Sequence, residues 1–191
     1  MDEDRIKWDQ KYQGERYFFS LAPSRFLSDS LKQVRPLLPG LRALDIACGE
    51  GRNSIYLAQE GFAVTGIDIS GAGLARGIER AQREGVTIDF IEADLDHYQL
   101  SGPYDLIVNF NFLLRQLIDQ EIAALTPGGV LILETIMDGP NLDGQHKKEF
   151  LLQPGELRRI FSGFAGEILM IEELPNELMP VARGIFRKGR G

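Results

Sequence analysis

Between residues 42 and 137, short apolar runs alternate with helix-patterned segments, and this alternation leaves few folds open. RALDIA (42–47), FAVTGID (62–68), VTIDFI (86–91), YDLIVNF (104–110) and GVLILETIM (129–137) read as strands. NSIYLAQE (53–60), GAGLARGIERAQR (71–83) and FLLRQLIDQEIAA (112–124) read as helices, the second loosened by Gly73 and Gly77. Strand, helix and strand at such spacing close as right-handed crossovers, which gives a parallel sheet with helices on both faces. The runs LIV and VLILE are apolar on consecutive residues, as strands covered on both sides require.

After residue 137 the pattern changes. DGPNLDGQHKKE (138–149) reads as a loop, and QPGELRRIFSGF reads as a helix with Pro154 near its first turn. GEILMIEEL (166–174) and VARGIFRK (181–188) are strands joined only by PNELMP, too short for a crossover helix, so this pair should be antiparallel. The expected fold is α/β: a doubly wound seven-stranded sheet, mostly parallel, with a terminal antiparallel hairpin. Residues 1–191 form one domain, and its first 35 residues carry helical pattern and aromatics but no strand.

Composition narrows the chemistry. A chain of 191 residues can bury roughly 70% of its unfolded surface without disulfide staples. The single cysteine, Cys48, rules out an internal disulfide, and the two histidines, His97 and His146, do not supply a zinc set, so no metal is expected. A formal charge of −7 repels phosphate backbones and argues against a nucleic-acid partner. Arg183, Arg187, Lys188 and Arg190 form either a small anion patch or a solvated strand edge. MDEDRIKWDQKY lacks the apolar core of a secretion signal, and no run approaches the ~20 apolar residues of a membrane span. The expectation is a cytoplasmic protein away from membranes, monomeric or homodimeric.

The stretch ALDIACGEGRN (43–53) places two glycines where the first strand becomes a helix. Glycines soften the backbone there, which is warranted where something must approach closely. In an open parallel sheet that position is the ligand crevice beyond the strand ends. Gly49 and Gly51 admit a ligand to the backbone, and the following helix offers N–H groups. Asp68 ends the second strand, where a carboxylate suits the diol of a ribose, and Asp94 follows the third. A nucleoside-containing cofactor follows. GEGRNS is also close to a dinucleotide fingerprint, so a small NAD-binding oxidoreductase is a rival, although the chain is short for an added substrate domain.

These residues carry a resemblance. ALDIACGEGRNSIYLAQEGFAVTGIDIS, DFIEADL, YDLIVNFNFL and LTPGGVLILET resemble, in order, the motifs of class I S-adenosylmethionine-dependent methyltransferases with their Rossmann-like fold. CGEGRN, NFLLRQL and FLLQPGEL are similar to small bacterial tellurite-resistance and thiopurine methyltransferases. The resemblance implies methyl transfer to a small-molecule acceptor, a thiol or a selenium or tellurium oxyanion. The alternative within the same fold is a non-catalytic S-adenosylmethionine-binding module.

The resemblance also implies roles. Asp45 braces the loop and orients the methionine amino group; Ala47 stands where many members have the loop's first glycine; Gly49 and Gly51 contact the cofactor. Arg52 and Asn53 hold the methionine carboxylate, or Asn53 caps the helix. Asp68 takes the ribose, Ile69 packs on the adenine, and Asp94 with Leu95 reads its edge, unless Asp94 is a turn aspartate. Asn109 meets the methionine moiety through its main chain, or its side chain closes a turn. Cys48 has no histidine nearby in sequence and reads as packing. No catalytic residue is singled out. Tyr12, Arg115, Glu134 and His146 are the weak candidates, with Arg115 equally readable as a surface arginine. Trp8 and Tyr12, one helical turn apart, form part of a lid (1–35) or pack on the core.

Overall fold

The computed structural model describes residues 2–14, 16–18, 20–142 and 146–190. Two helices come first, α1 (Asp2–Tyr12) and α2 (Arg25–Val34). Then follow β1 (Arg42–Ile46), α3 (Arg52–Gln59), β2 (Ala63–Asp68), α4 (Gly71–Arg83), β3 (Ile88–Glu92), β4 (Tyr104–Phe110), α5 (Arg115–Ala124) and β5 (Leu125–Ile136). The chain ends with α6 (Glu156–Ser162), β6 (Gly166–Leu174) and β7 (Val181–Lys188).

The sheet has seven strands in the order β3-β2-β1-β4-β5-β7-β6. β1 to β5 pair in parallel, and β7 runs antiparallel to both β5 and β6. The expected doubly wound sheet with its terminal hairpin is therefore present, and β7 is inserted between β5 and β6. Strand order reverses between β1 and β4, which opens the crevice at their carboxyl ends.

Alternate side chains feed two cores. Leu44, Ile46, Ile107, Leu131 and Leu133 pack with α5 and α6 on one face. Ala43, Leu106, Val108, Val130 and Ile132 pack with α2 and Leu57 of α3 on the other. Burial on both faces explains why these strands read as continuous apolar runs.

Several boundaries differ from the sequence reading, two of them at the connection from β4 to β5. α5 starts at Arg115 rather than residue 112, because Leu113 reaches the core from extended chain. β5 starts at Leu125 rather than residue 129, so the TPGG stretch belongs to the strand and shifts its register against β4.

Candidate functional site

The turn between β1 and α3 is held in a left-handed conformation at three positions: Ala47 (φ 51), Gly49 (φ 55) and Gly51 (φ 72). Glycine adopts such angles without steric cost, whereas Ala47 carries a Cβ there. A Cβ on Gly51 would meet the Phe90 ring at 2.9 Å, and one on Gly49 would meet the Tyr12 hydroxyl at 2.5 Å. The turn is pinned to β2 on two sides. Cys48 N donates to Ile67 O at 3.0 Å, and Gly49 N donates to Asp68 Oδ2 at 2.7 Å. Cys48 is buried, with its sulfur against Gly66, and burial pushes its thiol well up, as a packing residue requires.

Two carboxylates stand behind this turn. Asp45 is buried and accepts from Ser54 Oγ at 2.5 Å. Burial raises it to about 7, against the lowering effect of the Ser54 bond and of Arg52. Asp68 accepts from Ser70 N at 2.8 Å as well as from Gly49 N. Burial raises its pKa while those backbone donors pull it down. Burial lowers the Arg52 pKa, with Asp45 and Glu134 opposing.

Facing the turn is the segment after α1. A narrow cleft lies between them, and Tyr12, Asp45, Ala47, Gly49, Arg52 and Asn53 are among its lining residues. Tyr17, Ser20, Leu21, Glu50, Arg80, Phe110 and Asn111 also line it and were not singled out from sequence. Tyr17, Ser20 and Leu21 gave a weak signal because they come from the N-terminal segment, whose place is set by contacts distant in sequence. Arg76 of α4 donates to the carbonyls of Tyr12, Gly14 and Arg16, and Arg80 donates to that of Leu21. Glu50, on the glycine turn, accepts from Phe18 N at 2.8 Å and pairs with Arg76 at 3.2 Å.

The other sequence-read residues lie around this cleft or away from it. Ile69 is half-buried beside Asp68. Asp94 Oδ1 accepts from Asp96 N at 3.0 Å, a turn bond, and Leu95 is buried in the core. The Asn53 side chain does not cap α3; it accepts from Ser24 N at 2.9 Å and ties α3 to the start of α2. The Asn109 side chain turns into the core, where Nδ2 donates to the buried Glu121 at 2.7 Å, so only its main chain stands at the β4 tip.

Of the four weak catalytic candidates, Tyr12 alone lines the cleft. Its ring is buried, and burial with Asp68 and Glu50 pushes its hydroxyl pKa up, away from phenolate. Glu134 Oε2 accepts from Arg183 Nε at 2.5 Å, and Arg183 also bonds Glu172. Arg115 is committed to a bidentate pair with Glu156 and to the carbonyls of Glu149 and Leu151. His146 lies in the loop after β5, outside the cleft lining.

The doubly wound sheet with its reversed β7 and the left-handed glycine turn braced by a strand-tip carboxylate together form a crevice suited to a nucleoside-bearing ligand. Residues 43–129 match the family model described as a methyltransferase domain. TehB from Haemophilus influenzae has the same fold at a TM-score of 0.76 and 22% identity, over 94% of this chain and 67% of that one. The N-methyltransferase NodS from Bradyrhizobium japonicum WM9, in complex with S-adenosyl-L-homocysteine, superposes at 0.72 with 19% identity, over 96% and 97% of the two chains. Hemagglutinin 1 of Eikenella corrodens is 29% identical over 139 residues, 69% of this chain and 46% of that protein. The chain spans less than half the length of the first curated relatives that it matches. Among the described residues, no helix is long and apolar enough to cross a membrane.

Proposed function

We propose that the chain transfers the methyl group of S-adenosylmethionine to a small-molecule acceptor that arrives already ionised, such as a thiolate or a selenium or tellurium oxyanion. The observation that carries the cofactor half is the bond between Asp68 and Gly49 N, which sets a carboxylate beside the glycine turn at the sheet's reversal point. The cleft lining fits the cofactor's amino-acid end because it carries both signs. Asp45 and Glu50 suit an ammonium; Arg52 and Asn53 suit a carboxylate. In this reading Asp68 takes the ribose and Ile69 packs on the base.

When bound, S-adenosylmethionine supplies an activated methyl group, so the hard chemistry belongs to the cofactor. The chain's own residues orient two partners and exclude water. The N-terminal region, 1–35, serves as the lid, with Tyr12 on the glycine turn and Arg76 holding the carbonyls behind it.

The acceptor half rests on how the acidic side chains are engaged. Glu134 is paired with Arg183, Asp45 is bonded to Ser54, and the Tyr12 hydroxyl is held protonated. That arrangement favours an acceptor that needs no proton removed. The net charge of −7 supports a small molecule over nucleic acid.

Calorimetric titration with S-adenosylmethionine and with NAD, run separately, tests the cofactor. Micromolar binding of NAD alone overturns the reading. Formation of S-adenosylhomocysteine from thiols of graded acidity tests the acceptor. The rate should rise with pH at each thiol's own pKa, and one midpoint shared by all of them would identify a base on the protein instead. Cofactor binding with no turnover of any acceptor would favour the non-catalytic binding module.

A further inference from the structure

Asp9 stands on α1, outside the cleft lining, and reaches the ribose carboxylate through one serine. Ser70 Oγ donates to Asp9 Oδ1 at 2.6 Å, and Ala72 N donates to the same oxygen at 3.1 Å. The Ser70 main chain then donates to Asp68 Oδ1, whose other oxygen holds Gly49 N. A single file of bonds, Asp9 to Ser70 to Asp68 to Gly49, therefore runs from α1 to the glycine turn. Ser70 is fully buried, and its hydroxyl also accepts from Gly73 N at 3.1 Å, which fixes the direction of its own proton toward Asp9. One turn further along α1, the Tyr12 ring fits against Gly49 and Gly73 so closely that a Cβ on Gly73 would lie 2.9 Å from it.

We infer that Asp9 is a positioning residue for the cofactor: through Ser70 it docks α1 on the Asp68–Gly49 pair, so that nucleoside binding and the seating of α1 reinforce each other. The inference rests on the S-adenosylmethionine reading above. Without Asp9 the Ser70 hydroxyl loses its acceptor at the point where it steadies Asp68, and α1 loses its tie to the start of α4. Linkage makes the effect mutual: whatever the seated helix adds to cofactor affinity, the cofactor adds to the seating of the helix.

The chain carries its own probe. Trp8 is the one tryptophan, and it stacks on Tyr12 with centroids 5.7 Å apart. Its emission reports whether α1 is seated. The experiment measures S-adenosylhomocysteine binding to the full chain by calorimetry and its release by stopped-flow Trp8 fluorescence, with circular-dichroism melting alongside. Wild type is compared with Asp9→Ala and with Asp9→Asn, which keeps a side-chain oxygen acceptor.

The expected result is a Trp8 signal on binding in wild type and release at least about fivefold faster in Asp9→Ala, the lower end of ordinary coupling between sites. Asp9→Asn should restore release to within about twofold of wild type, since the acceptor oxygen remains. A purely structural role would lower the melting temperature and leave the release rate alone, which overturns the inference. So does ligand binding that leaves Trp8 emission unmoved in wild type, a measurement that stands even if Asp9→Ala fails to fold. If S-adenosylhomocysteine does not bind wild type, the cofactor reading falls and this inference falls with it. If it binds and its release ignores Asp9, this inference alone falls.

Discussion

The carboxylate of Asp68 holds the amide of Gly49 at 2.7 Å, joining the tip of β2 to the turn after β1. One side chain thus shapes the cofactor loop and, in the proposed function, grips the cofactor's sugar. Asp68→Ala should weaken S-adenosylmethionine binding by about 1–3 kcal/mol, the scale of a hydrogen bond to a charged group. Asp68→Asn, which keeps one acceptor oxygen, should fall between. Calorimetry decides the matter, and an Asp68→Ala protein of wild-type affinity would remove the ribose assignment.

Gly49 meets two constraints at once, a left-handed backbone and the Tyr12 hydroxyl. Gly49→Ala should cost about 1–2 kcal/mol for the backbone alone, with a further penalty for the contact. Adding Tyr12→Phe should recover the contact penalty and leave the backbone cost. Urea denaturation of wild type, Gly49→Ala, Tyr12→Phe and the double variant separates the two contributions.

Glu121 is fully buried; its Oε1 is bonded to Asn109, and its Oε2 has no hydrogen-bond partner among the described residues. Burial raises its pKa to about 7, while the Asn109 bond pulls it down. The raised value favours the protonated form in the folded state. Its contribution is therefore complete below the unfolded pKa and is lost as pH rises toward 7, on the order of 3 kcal/mol across that window. Glu121→Gln should leave stability nearly unchanged at pH 4.5 and raise it at pH 7.5. Denaturation at the two pH values is the check, and equal differences at both would show that Glu121 titrates normally.

Arg115 ties the start of α5 to α6 and to the carbonyls before it. Because this pair is partly exposed, Arg115→Met should cost only about 1 kcal/mol, a shift of roughly 2–4 °C in melting temperature. Affinity for S-adenosylhomocysteine should not change. A large loss of affinity with an unaltered melting temperature would return Arg115 to the binding site.

What could be read in the sequence follows the range of the forces involved. The central strands were legible because β1, β4 and β5 are covered on both faces and so are apolar without alternation. The glycine turn was legible because Gly49, Gly51 and Asp68 act within a short stretch. The direction of the Asn109 side chain was not, since its partner Glu121 is on a helix that pattern alone cannot place over the β4 tip. The N-terminal segment was the hardest to place. Beyond its first residue, α1 buries Tyr12 alone and leaves Glu3 to Lys7 exposed. Its position depends on Asp9, Arg76 and Arg80 bonding across the chain rather than on any apolar stripe.

The reversal of β7 settles which end of the molecule can be altered safely. It carries the chain away from the mouth beside α1 to the opposite rim, where Lys188 Nζ donates to Ala123 O near the end of α5 and to Leu125 O at the start of β5. A label, surface tether or fusion partner attached beyond Lys188 would emerge there and leave the entrance clear. The same addition ahead of α1 would hang over that entrance.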